Sequence, residues 1–160
     1  LSPRAGIVLK PQDNLSFYSS YSVSYVPSSG DQFSTLSTGT SILKPEKIQN
    51  YELGSKWDVN PNFNLAAAIY QLRRTNSPVN DPNNSGYYFS SGESRTDGIE
   101  FSATGKITTK WQIIAGFGHQ DSRLIKSVAS GSSNINAGNK VALVPQNKIS
   151  LNPQPKFSNC

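Results

Sequence analysis

Tyr51-Glu52-Leu53-Gly54-Ser55-Lys56-Trp57-Asp58-Val59, running into Asn60-Pro61-Asn62-Phe63-Asn64, is the stretch whose reading decides the fold. Its odd positions, Tyr51, Leu53, Trp57 and Val59, form an apolar row, and Glu52, Lys56 and Asp58 stand on the opposite side. Successive side chains of a strand point to opposite faces, so this is a strand with one greasy and one charged face. Three charges in one row cannot sit unpaired against a dry core, so the second face is expected to be wet. Asn60 to Asn64 then closes a tight turn.

The same unit repeats outward from there. Tight turns at Pro11-Gln12-Asp13-Asn14, at Asn60 to Asn64 and at Ile107-Thr108-Thr109-Lys110 recur at intervals of roughly 48 residues. Between them lie long polar segments, Pro27 to Lys47, Thr75 to Gly92 and Ile125 to Val141. Short loops at one end and long loops at the other mark a transmembrane β-barrel, with brief periplasmic turns and longer extracellular loops. A soluble sandwich alternates too, but has no reason to sort its loops by end.

The strands flanking these turns repeat the two-faced pattern. Ala5, Ile7 and Leu9 alternate with Gly6, Val8 and Lys10. Leu15, Phe17, Tyr21, Val23 and Tyr25 oppose Ser16, Tyr18, Ser20, Ser22 and Ser24, and serine at every second position suits a watery lumen. Ala66, Ala68, Tyr70, Leu72 and Arg74 are assigned to the outward row of the fourth strand, where alanine obscures the parity. Ile99, Phe101 and Ala103 oppose Glu100, Ser102 and Thr104. Trp111, Ile113, Ala115 and Phe117 oppose Gln112, Gly116, Gly118 and Gln120, with Ile114 breaking the pattern. A seventh strand starts near Lys148 to Leu151 and is expected to stop at Pro153 and Pro155, which cannot donate ladder hydrogen bonds. The expectation is an all-β antiparallel meander of six to seven strands. About 11 residues per strand, tilted about 40°, rise close to 28 Å, enough for an apolar band of about 25 Å. Trp57 and Trp111 both adjoin short turns with apolar parity, as an interfacial aromatic girdle requires; the alternative is a pair of core tryptophans in a soluble sheet.

Composition narrows the classes further. The 160 residues hold 35% hydrophobic and 16% charged side chains, and no apolar run reaches the length of a membrane helix. Fifteen basic and 10 acidic residues leave a net charge of +5, scattered and not gathered into a nucleic-acid stripe. The sequence begins at Leu1 with no Met, and reads as a piece of a longer chain. His119 is the only histidine and Cys160 the only cysteine, which leaves neither a histidine metal cluster nor an internal disulfide. Glu93, Asp97 and Glu100 form no acid–base pair, and Gly116-Phe117-Gly118 opens no helix, so no enzyme is expected.

Specific blocks sharpen this reading. Leu43-Lys44-Pro45-Glu46-Lys47, the Tyr51 to Trp57 stretch, Ala66 to Asn76, Asp81-Pro82, Ser94-Arg95-Thr96-Asp97-Gly98-Ile99-Glu100 and Leu143-Val144-Pro145 resemble, in this order, the barrel of TonB-dependent siderophore receptors. The resemblance implies a barrel of about 22 strands in the bacterial outer membrane, of which residues 1–151 supply part of the wall. It implies a ferric siderophore as transported ligand, with no cofactor bound directly. The implied partners are outer-membrane lipid, the siderophore, and the TonB complex acting through a plug that this sequence does not carry; nucleic acid is not among them. Residues 152–160 lack the family's closing aromatic strand and are expected to be an aberrant or truncated tail. Ligand contacts are expected at Gln32 and Phe33, at Tyr87, Tyr88 and Phe89, and at Arg95 at a strand end. Arginine and aromatic groups suit an anionic or polar-rimmed iron chelate. The competing reading is a soluble all-β binding module of adhesin or carbohydrate-binding type. On the barrel reading, the isolated chain is expected to leave two unpaired sheet edges and not to function alone.

Overall fold

A computed structural model describes residues 1–26, 44–80, 88–108, 110–126, 128–130, 133–135 and 137–155. Within them the chain is an antiparallel meander. Strands β1 (Arg4–Gln12), β2 (Leu15–Val26), β3 (Glu46–Asn60), β4 (Phe63–Asn80), β5 (Tyr88–Lys106) and β6 (Trp111–Leu124) follow one another in space as in sequence. A small hairpin of β7 (Val128–Ser130) and β8 (Ser133–Ile135) intervenes before β9 (Asn147–Pro155), which pairs with β6 and completes a seven-stranded sheet. The described residues contain no helix.

The three tight turns fall where the sequence puts them, but the strands climb farther into the second long segment than expected. Ser77 pairs with Gly92, Pro78 with Ser90, Val79 with Phe89 and Asn80 with Tyr88, so much of Thr75 to Gly92 is a hairpin arm. Asn76 is the extra residue of a bulge there. Its φ of 62° is the left-handed region that asparagine tolerates better than most residues.

Two strand assignments need correction. Trp57 stands directly across from Leu65, and Glu52 directly across from Tyr70. Leu65, Ala67 and Ile69 therefore share the tryptophan face, and Ala66, Ala68, Tyr70, Leu72 and Arg74 lie on the polar face. Three consecutive alanines carry no parity of their own, and the neighbouring strand decides it. The prolines, likewise, do not end the last strand: β9 stays in register through Pro155, opposite Trp111. The Gln120 amide donates to the Gln146 carbonyl at 2.8 Å, which fixes the alternation of the ladder. Counting along the register, Pro153 and Pro155 fall at non-hydrogen-bonded positions, with their nitrogens turned to the open edge.

Such a sheet has no interior of its own. Among the described residues, Val23, 3% exposed, is the one buried hydrophobic side chain, whereas Phe17, Leu53, Ile69, Phe101 and Ile149 are open. What these side chains need is an apolar solvent on one side.

Candidate functional site

The register sorts the side chains into two faces. Leu9, Phe17, Ser55, Ala67, Phe101, Phe117 and Ile149 form one continuous row across all seven strands of the sheet, and their neighbours along each strand extend it into a band. The band crosses the hydrogen-bond rows obliquely. Its last apolar residue towards the long-loop end is Tyr25 on β2, Tyr51 on β3, Ile69 on β4, Ile99 on β5 and Phe117 on β6. The row that begins at Tyr25 continues through Lys47, Thr75 and Glu93, so a flat band would have been broken by charge. Strands tilted about 40° and spaced about 4.8 Å apart shift a level line by about 1.2 residues per strand, which is the sense of offset a barrel wall imposes.

Aromatic side chains line both borders of the band. Trp57 and Trp111 share this face and lie beside short turns at the same end, each about half exposed. At the other border the Tyr21 and Tyr51 rings meet with centroids 4.8 Å apart, and Gln49 Nε2 donates to the Tyr21 hydroxyl at 3.1 Å.

The opposite face is polar and organised by hydrogen bonds. The Tyr18 hydroxyl donates to Glu52 Oε1 at 2.6 Å, and the Tyr70 hydroxyl to Gln120 Oε1 at 3.1 Å. Each ring lies over a glycine on the facing strand: a Cβ on Gly54 or Gly98 would come within 2.4 Å of it. Higher up, Arg74 grips Glu46 in a two-pronged ion pair, Nε to Oε1 at 2.8 Å and Nη2 to Oε2 at 3.0 Å, and the Ser77 hydroxyl adds 2.7 Å to Oε1. Glu46 is 7% exposed. Burial pushes its carboxyl up, but Arg74 and Ser77 outweigh that and leave it below the usual carboxylate range. Ile114 sits on this polar face, as its break in the pattern indicates.

The expected ligand contacts distribute unevenly. Gln32, Phe33 and Tyr87 lie outside the described residues, and Tyr88 and Phe89 belong to the upper arm of β5. Arg95 is not at a strand end: it lies well inside β5, on the tryptophan face, with Nε donating to Asp97 Oδ2 at 2.7 Å. Arg74, given the wrong face from the alanine run, is an arginine that the structure places on the polar face towards the long-loop end. The pairing of Trp57 with Leu65 was the signal that could have found it, through the matching length of the two strands around Asn60 to Asn64.

A single sheet apolar in an oblique band on one side and hydrated on the other is the wall of a transmembrane β-barrel. Residues 1–158 match the family described as TonB dependent receptor-like, beta-barrel. The chain belongs to that family, whose barrels lie in the bacterial outer membrane. It is 37% identical over 161 residues to the probable TonB-dependent siderophore receptor PiuA of Acinetobacter baumannii, covering 92% of this chain and 21% of that protein. To the catecholate siderophore receptor Fiu of Escherichia coli K12 it is 32% identical over 142 residues, covering 82% and 18%. The crystal structure of PiuA superposes with a TM-score of 0.78 at 33% identity, covering 94% of this chain and 23% of that one. That of Fiu gives 0.75 at 28% identity, covering 99% and 22%. The chain thus spans about a fifth of the length of the curated relatives it matches. These findings do not support a soluble binding module.

Proposed function

We propose that this chain is a section of the barrel wall of a receptor that binds a ferric siderophore on the outer side of the membrane. The parent protein would import it with energy passed through TonB. The observation that carries the reading is the coexistence of a lipid-fitted band on one face with a hydrogen-bonded, charged wall on the other, in a chain related to receptors named for siderophores. Chemistry on iron is not part of the proposal, since the metal travels inside its chelator and the family consists of receptors and transporters.

Within this scheme Trp57 and Trp111 anchor the wall at the periplasmic interface, where indole rings are amphipathic enough to sit. Ligand contact belongs to the long-loop end, with Gln32, Phe33 and Tyr87 as candidates outside the described residues and Tyr88 and Phe89 as candidates on the upper arm of β5. Arg74 supplies a positive charge on the lumen face near that end. An anionic chelate entering there would compete with Glu46 for the Arg74 guanidinium, which accepts planar two-point partners.

The test is uptake. The full-length parent is expressed in a strain lacking its own siderophore receptors and supplied with catecholate, hydroxamate and mixed ferric chelates. Uptake of at least one is expected, dependent on TonB. No uptake across all three classes would reject the proposal.

A further inference from the structure

The pair of Glu46 and Arg74 has more structure built around it than an ion pair on a wet wall needs. Odd-numbered positions of β4 from Leu65 to Thr75 share the tryptophan face, so by parity Ser77 would point outward too. Asn76 is an extra residue at that point, and it turns Ser77 onto the face of Arg74. Gly92 stands opposite Ser77, where an added Cβ would come within 2.8 Å of the Ser77 Cβ, so any larger residue would push the serine aside. The Asn76 side-chain amide donates to the Pro45 carbonyl at 3.3 Å, which fixes the backbone beside Glu46. Bulge, glycine and serine thus converge on holding one buried carboxylate against one arginine.

Arg74 is gripped on one edge only. Nε and Nη2 face Glu46, whereas Nη1 has no acceptor among the described residues, and the side chain is 47% exposed. An anion arriving from the lumen can land on Nη1 first, and takes the two-pronged position only as Glu46 gives it up. Glu46 does not go far. Its 2.7 Å bond from Ser77 involves no arginine and keeps the carboxylate beside the guanidinium. A tethered group of this kind competes at an effective concentration of the order of millimolar or above, which a lone inorganic anion in dilute solution does not match. We propose that Glu46 is a resident counter-anion for Arg74, and a specificity-determining residue. It keeps small anions such as phosphate off the lumen arginine and yields to an anionic chelate that other contacts hold as well. The inference rests on the reading of the parent protein as a receptor for ferric chelates.

The test uses the full-length receptor in detergent micelles, wild type and with Glu46→Gln, Arg74→Gln and both together. Binding of an anionic ferric tris-catecholate and of a neutral ferric tris-hydroxamate is followed by tryptophan fluorescence, with and without inorganic phosphate. Glu46→Gln keeps the shape of the side chain and replaces a charged competitor by a neutral one. Its affinity for the tris-catecholate should therefore rise about tenfold in phosphate-free buffer. Phosphate should erase that gain in the variant and change wild type little. In the Arg74→Gln background, Glu46→Gln should bring no gain. If Glu46→Gln does not fold, Ser77→Ala, which loosens the carboxylate, should give a smaller gain of the same sign. Equal or weaker binding of the tris-catecholate by Glu46→Gln, as a purely structural pair predicts, would overturn the inference. So would a gain that survives Arg74→Gln or ignores phosphate. Binding of the hydroxamate but not the catecholate by all four proteins would overturn the counter-anion alone, and binding of neither would overturn it together with the receptor reading.

Discussion

Tyr18 and Tyr70 lie flat on the polar wall because the residue across from each is glycine. A methyl at Gly54 or Gly98 would collide with the ring's far end, which can swing away, at the cost of the hydroxyl's contact with Glu52 or Gln120. In the full-length receptor Gly54→Ala should therefore destabilise by about 1 kcal/mol, the worth of one such hydrogen bond. The loss should disappear when measured in a Tyr18→Phe background. Gly105 differs in kind, since its added Cβ would meet the Asn62 carbonyl oxygen at 2.3 Å and the Phe63 Cα at 2.6 Å. Backbone cannot step aside so cheaply, and Gly105→Ala should exceed Gly54→Ala in equilibrium unfolding from lipid. An equal or smaller effect would contradict this packing. Glu93, above the apolar band, allows a pH test. Lys126 and Arg73 hold its carboxylate, which is 4% exposed, below the usual range against the cost of burial. A lowered carboxyl contributes stability that is complete above its unfolded pKa of about 4.3 and fades as pH falls through the lower folded value. The stability gap between wild type and Glu93→Gln should be constant from neutral pH to about 5 and shrink below 4. A gap unchanged in acid would mean that the ion pairs contribute nothing.

At the scale of the strand, the ladder position of a proline decides its cost. Pro153 and Pro155 face the open edge of β9, so Pro153→Val should leave pairing with β6 unchanged. Asn152→Pro would remove a donor from a hydrogen-bonded position inside the membrane, where one unsatisfied backbone group costs several kcal/mol. Barrel assembly, read as heat-modifiable migration, should fail for that variant alone; if both assemble equally, the alternation assigned to β6 and β9 is wrong. The same positional logic marks how far the sequence can be read. In β3 the two rows differ sharply, Tyr51, Leu53 and Trp57 against Glu52, Lys56 and Asp58, and the faces are legible without coordinates. In β4 the run Ala66-Ala67-Ala68 fits either face, and only Trp57 opposite Leu65 settles it. Arg74 and Arg95 were misplaced for related reasons: an arginine's face depends on strand parity and its height on where pairing ends, and neither is local information. The prolines mislead because composition says what a proline lacks, and not which way that lack points.

At the scale of the molecule, the described sheet ends in two edge strands, β1 and β9, with unpaired backbone along each. Hydrocarbon does not tolerate such edges, and closing seven strands on themselves would crowd Glu52, Lys56 and Glu100 into a narrow, poorly hydrated core. Expressed alone with an export signal, the chain should yield no heat-modifiable, protease-resistant species in outer membranes, whereas the full-length parent should. A resistant band from the chain alone would show that it closes by itself or with copies of itself.

The oblique band has a consequence for the whole circumference. If each strand displaces the level line by about 1.2 residues, a barrel of about 22 strands accumulates an offset of about 26 residues in one circuit. The hydrogen-bond ladder is then a screw thread and not a stack of hoops. Two residues bonded across a strand pair lie at different depths, and a depth-sensitive probe should rank Leu15, Trp57, Leu65, Ala103 and Ala115, all in one register row, in a steady staircase around the wall.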